Sequence, residues 1–164
     1  MAAAGTPSTM PPARILVATS PFGACGSLPR ELLAQSRHEI VFNPHGRRLK
    51  RGEVAELLAD CDAVIAGTEP YTADVIGQCP RLKVIARVGI GLDSVDLEAC
   101  RARGIAVSYT PDAPSQAVAE LTLAMMLGLV RHMQRSDRSV RERAWNRLLG
   151  RLMSECEVGI IGAG

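Results

Sequence analysis

Two glycine turns and one proline-framed helix start carry the residues whose types and spacing point to chemistry. Arg87-Val88-Gly89-Ile90-Gly91-Leu92-Asp93 places two glycines where an apolar run ends and a helix is expected to begin. Glycines leave backbone N–H groups uncovered, and near a helix N-terminus such groups hold an anion, for example a carboxylate. The same string also reads as a plain tight turn followed by a capped helix, and its spacing leaves both readings open. The run VGIIGAG, which includes Gly162 and Gly164, is an apolar stretch followed by Gly-x-Gly. That is how a dinucleotide-binding fold opens: one glycine makes the tight turn and the next lets the backbone approach a pyrophosphate. The third string runs from Thr110 to Glu120. Its prolines, Pro111 and Pro114, fix a non-helical link, and a carboxylate follows near the start of an apolar helix. It reads either as a rigid crossing whose helix start faces a cleft or as a loop with a capped helix.

These strings must be positioned by a regular frame, and the hydrophobic pattern supplies one. Arg14–Thr19, His38–Phe42, Ala63–Ala66, Leu82–Val88 and Ile105–Ser108 are short β-rich runs. Helical spacing separates them. Helices are expected over Leu28–Ser36, from Gly52 through Leu58, behind Thr72 as a cap, and behind Asp93 as a cap with Asp96 and Glu98 in the first turn. Gly104 is expected to end the last of these in a left-handed conformation. Five alternations with short links predict a parallel, doubly wound α/β sheet of the flavodoxin type. Beyond Pro111 the rhythm changes. One continuous helix is expected from Gln116 to Met133, apolar on nearly every side and therefore covered by another body. A charged helix follows over Arg135–Trp145, and a new strand over Glu157–Ile161 opens a second, Rossmann-type domain.

Composition removes several classes of function. Of 164 residues, 47% are apolar and 3% aromatic, so burial falls to aliphatic side chains, as in helices packed on a parallel sheet. A net charge of +2 gives no support to a nucleic-acid partner. The basic run Arg47, Arg48, Lys50 and Arg51 reads as a solvated loop or an anion contact. The five cysteines form no C-x-x-C pair, which argues against a zinc site or a disulfide framework and for a reducing, cytoplasmic setting. Residues 1–12 carry no charge and lack the pattern of a signal peptide; a disordered tail is expected there. No apolar run reaches the length of about 20 residues needed to cross a bilayer.

The string ARVGIGLDSVDLEACRARGIAVSYTPDAPSQAVAELTLAMMLGLVR, followed by GIIGAG, resembles the D-isomer-specific 2-hydroxyacid dehydrogenase family, and most its phosphoglycerate-dehydrogenase branch. The strand into G-x-G-x-D-x-V-D, then T-P-x-A-x-x-x-V-A-E, then G-I-I-G-x-G stand in the family's order and spacing, and the resemblance runs from about Arg14 to Gly164.

That resemblance implies an oxidoreductase acting on the CH–OH group of a small 2-hydroxy acid, with NAD as acceptor and NADP possible. It implies a substrate domain over 13–109. Residues 110–164 would then hold an interdomain helix, a dimer arm and the first strand of an NAD-binding domain. Val88 and Gly89 would face the substrate carboxylate through backbone N–H groups, with Thr68 in the loop facing the same cleft. The branch often has Arg-Ser where this chain has Ala66-Gly67-Thr68, which counts against phosphoglycerate as substrate. Ile90 would lie beside the cofactor, at a position that is often Thr, and Val118 near the nicotinamide. Gly162 and Gly164 would be the first two fingerprint glycines. The family's catalytic Arg, Glu and His fall beyond these strings, and none of His38, His45 or His132 matches that His.

The resemblance further implies a homodimer through residues 116–150, with Trp145 either on the partner or partly buried within one subunit. The chain, read as the amino-terminal part of such an enzyme, is expected to be inactive alone. The competing expectation is a non-catalytic dimerisation or partner-binding module on a dehydrogenase-like fold. A phosphorelay receiver domain shares the sheet, but it needs acidic residues after the first strand, where this chain has Thr19 and Ser20.

Overall fold

The computed structural model describes residues 11–162. They fall into two compact units that meet in sequence between Ala113 and Pro114. The expected tail over 1–12 lies almost entirely outside the described residues.

The first unit alternates strand and helix as the pattern predicts: β1 (Arg14–Val17), α1 (Leu28–Ala34), β2 (Glu39–Phe42), α2 (Arg51–Leu58), β3 (Ala63–Ala66), α3 (Ala73–Gly77), β4 (Val84–Arg87), α4 (Leu97–Ala102) and β5 (Ala106–Ser108). The strands form one sheet in the order β2-β1-β3-β4-β5, every pair parallel. This is the flavodoxin-type order, in which ligands bind beyond the carboxyl ends of the strands. The register sets Ile15 beside Ala63, and Ala66 beside Arg87.

The core is aliphatic, as the composition requires. Leu16, Val54, Leu58, Val64, Val75, Ile76 and Ile85 are fully buried. Each such side chain contributes about 1.5–3 kcal/mol over its exposed state. Cys61, Cys79 and Cys100 join this core, and burial raises all three thiols above their ordinary range.

Local chemistry fixes the ends of the helices. Glu53 turns back to accept the Lys50 N–H at 2.7 Å, so α2 starts at Arg51. The cap of α4 is Asp96, which accepts from the Ala99 N–H at 2.9 Å, rather than Asp93. Asp93 and Ser94 instead form a turn closed by the Val95 N–H on the Leu92 carbonyl at 2.9 Å, and Val95 is bridged to Tyr71: the Tyr71 N–H reaches the Ser94 carbonyl at 2.7 Å, and the Asp96 N–H reaches the Tyr71 carbonyl at 2.9 Å. The helix therefore cannot begin until the second aspartate. Gly104, at φ +67°, ends α4 in the expected left-handed cap.

The second unit holds α5 (Ser115–Val130), α6 (Met133–Arg141) and a 3-10 turn (Met153–Glu155). The expected continuous helix from Gln116 to Met133 is broken. His132 stands in the left-handed region at φ 57°, and a second chain reversal follows at Arg143, φ 58°. The charged helix accordingly ends at Arg141 rather than Trp145. The expected strand over Glu157–Ile161 is absent: these residues are irregular and mostly exposed. A strand needs a neighbour for its backbone groups, and among the described residues of this unit no strand offers one.

Candidate functional site

The loops after β3 and β4 lie side by side at the carboxyl edge of the sheet, because Ala66 and Arg87 are register partners. The Val88 N–H donates to the Ala66 carbonyl at 2.9 Å and extends that pairing one residue into the loop. Thr68, Val88, Gly89 and Ile90 are thus brought to one edge. Val88 and Ile90 are exposed apolar side chains there.

Gly89 has a backbone that only glycine adopts readily, at φ +137°. A Cβ there would stand 2.6 Å from Arg87 Nη1. The Arg87 guanidinium folds over its own strand end and donates to the Val88 carbonyl, while its Nε is buried without a partner among the described residues. A positive charge therefore lies directly against the Gly89 peptide. The Gly89 N–H is engaged: it donates to Thr110 Oγ1 at 2.8 Å. Ile90 and Gly91 make no backbone hydrogen bond among the described residues.

The loop after β3 is held from inside and outside. Glu69, only 2% exposed, accepts the Gly67 N–H at 2.7 Å and faces the Tyr71 hydroxyl at 3.5 Å. Burial, and then the Glu69 charge, push the Tyr71 phenol far above its ordinary range, so it stays protonated and able to donate. From the solvent side, Arg48 Nε donates to the Thr68 carbonyl at 2.9 Å. The rest of the basic run is partly neutralised: Arg47 pairs with Glu53 at 2.6 Å, and Arg51 pairs with Asp74.

Sequence reading singled out the loops but not these supports. Glu69 sits in a polar string with no periodic sign of burial, and Arg48 looked like one charge in a solvated run. The one sequence cue to Thr110 is Pro111, which disfavours a helical backbone at the residue before it.

Val118 and Gly162 belong to the other unit. Val118 is exposed on α5. Gly162 stands at φ +77°, a left-handed backbone that favours glycine, with open space where a Cβ would be. Gly164 lies outside the described residues. None of the three histidines stands on either loop: His38 accepts the Ala13 N–H through Nδ1, His45 is exposed, and His132 joins α5 to α6. No metal-ligating cluster occurs among the described residues, and no helix among them is long and apolar enough to cross a membrane.

This arrangement has known counterparts. The family described as "D-isomer specific 2-hydroxyacid dehydrogenase, catalytic domain" matches residues 21–159. A hydroxypyruvate reductase of Thermotoga maritima is 36% identical over 137 residues, which is 82% of this chain and 44% of that protein. Among solved structures, a D-isomer specific 2-hydroxyacid dehydrogenase from Polaromonas superposes with a TM-score of 0.73 at 29% identity, covering 85% of this chain and 44% of that one. An NAD+-bound 3-phosphoglycerate dehydrogenase from Entamoeba histolytica superposes at 0.67 with 28% identity, covering 86% and 43%. The chain thus spans less than half the length of these relatives. With the parallel sheet, its strand order and the paired loops after β3 and β4, the match over most of the sequence means that this chain belongs to the D-isomer specific 2-hydroxyacid dehydrogenase family.

Proposed function

We propose that this chain provides the acid-binding part of an oxidoreductase that moves a hydride between the CH–OH group of a small 2-hydroxy acid and NAD, with NADP a lesser alternative. The observation that carries this reading is the Gly89 peptide, held at the carboxyl end of β4 with the Arg87 guanidinium against it. A carboxylate is the substrate group such a place favours, because the Arg87 cation selects negative charge and the Ile90 and Gly91 N–H groups beside it make no backbone hydrogen bond among the described residues. In this reading Thr68, Val88 and Gly89 border the acid, while Ile90 and Val118 face the cofactor. Gly162 and Gly164 begin its pyrophosphate turn, and the left-handed backbone of Gly162 suits that part. When bound, NAD would supply the hydride acceptor.

The domain division follows: residues 13–109 hold the acid, and residues 110–164 lead into a nucleotide-binding domain and carry a dimer arm within 116–150. The exposed apolar side chains of α5 favour a second copy of the chain as partner. All five cysteines are free, which suits a reducing compartment such as the cytoplasm.

Hydride transfer needs an acid/base and a carbonyl polariser as well as the cofactor. In this reading those groups come from a nucleotide-binding domain joined to this chain, and activity is expected of the two together. The test is NADH formation from a panel of 2-hydroxy acids, by the chain alone and by the chain fused to the nucleotide-binding domain of its Thermotoga relative. The fusion should be active and the chain alone silent. Gly89→Ala in the fusion should lose about a hundredfold in kcat/KM, the usual effect of a misplaced substrate. A fusion that binds NAD but oxidises none of the acids would overturn the reading.

A further inference from the structure

One residue holds Gly89 by both its N–H and its carbonyl. The Thr110 N–H donates to the Gly89 carbonyl at 3.0 Å, and Thr110 Oγ1 accepts the Gly89 N–H at 2.8 Å. A hydroxyl that accepts one hydrogen bond keeps its own proton to give, and the bond it accepts polarises that proton. Thr110 is exposed, and its hydroxyl proton meets no acceptor among the described residues. Independently, the Arg87 guanidinium lies against Gly89 and forms no ion pair among the described residues. A fixed hydroxyl donor and an uncompensated cation therefore flank a peptide whose own N–H is already taken.

We propose that Thr110 is a substrate-binding residue: its hydroxyl, held in place by the Gly89 N–H, donates to the carboxylate of the 2-hydroxy acid. The acid is then held by the side chain of Thr110, and the Gly89 N–H acts at one remove by fixing and polarising that hydroxyl. This assignment rests on reading the Gly89 loop as the acid's cradle. It also gives a reason for the Thr110-Pro111 pair, since Pro111 keeps the Thr110 backbone out of the helical region and the clasp in register.

The experiment is an NMR titration of the whole chain with D-glycerate and with its methyl ester, in wild type, Thr110→Val and Thr110→Ser. Wild type should bind D-glycerate with shifts at the Gly89 and Ile90 amides. Thr110→Val should weaken that binding about tenfold and Thr110→Ser by no more than about twofold, as expected for one hydrogen bond to a charged group. The uncharged ester should bind wild type and Thr110→Val alike. D-glycerate binding unchanged or tightened in Thr110→Val would overturn the role of Thr110 and leave the cradle standing. Thr110→Ser as weak as Thr110→Val, or an ester weakened as much as the acid, would overturn it too, because the effect would then not come from a hydroxyl on a carboxylate. D-glycerate that leaves the Gly89 and Ile90 amides of wild type unmoved would overturn the cradle and Thr110 together.

Discussion

The Glu69 carboxylate fills the space that a side chain at Gly67 would need. Both carboxylate oxygens lie 2.9 Å from where a Gly67 Cβ would stand, and Thr19 Cβ lies at 3.0 Å. The same carboxylate accepts the Gly67 N–H at 2.7 Å. The loop beside Thr68 is therefore built around a buried acid, and two substitutions probe it. Gly67→Ala forces the carboxylate or the loop to move and should cost about 1–3 kcal/mol, the usual effect of overpacking. Glu69→Leu leaves the Gly67 N–H and the Tyr71 hydroxyl without their acceptor and should cost a similar amount, about 1–3 kcal/mol. Urea unfolding of both variants checks this; wild-type midpoints would mean that the contact carries no stability.

Acid should loosen the molecule through its ion pairs. The Arg47 guanidinium and the Lys50 N–H hold the Glu53 carboxyl down at about 2, against an ordinary 4.5. The Arg14 N–H, with Arg81, lowers Asp62 in the same direction. A carboxyl whose folded pKa is depressed adds stability above its unfolded pKa and loses it as pH falls through the folded one. The loss should therefore run from about pH 5 down to about pH 2. Glu53→Gln should flatten part of that slope in urea midpoints measured across the window, while leaving Asp62 to titrate. A slope identical to wild type would remove Glu53 from the account.

The face of α5 should draw copies of the chain together. Leu121 is 61% exposed, Leu129 67% and Trp145 89%, which leaves no support for a Trp145 buried within one subunit. Large apolar side chains left open in this density mark an association surface. Sedimentation velocity at tens of micromolar should give a dimer or larger species, and the double substitution Leu121→Gln, Leu129→Gln should return a monomer that still unfolds cooperatively. A wild-type monomer at that concentration would count against the dimer arm.

The sheet was legible because a parallel core strand is a short apolar run, and AVIA and its neighbours have few other uses. Their parallel pairing followed from the alternation with helices. The carboxyl-edge loops were legible through glycines, whose backbone freedom is itself the signal. What escaped the sequence has local causes. The break at His132 carries neither glycine nor proline, so a left-handed residue among helix formers left no mark. Asp93 and Asp96 are equally good caps in isolation, and only the bridge from Tyr71 decides between them. The run Glu157–Ile161 has the pattern of a strand, but a pattern fixes a strand only where an edge exists to receive it. Glu69 and Thr110 are polar residues in polar strings; their importance arises from neighbours distant in sequence.

The central claim is that this chain presents a D-2-hydroxy acid for hydride transfer, and the movement of the hydrogen itself tests it most directly. The chain fused to a family nucleotide-binding domain would be given NAD and D-glycerate carrying deuterium at C2, and the nicotinamide analysed by mass spectrometry. The account predicts that the deuterium passes from C2 to the nicotinamide ring with the D-acid and not with its L-isomer. A fused protein that binds NAD and D-glycerate yet transfers no deuterium, or transfers it from the L-isomer alone, would contradict it.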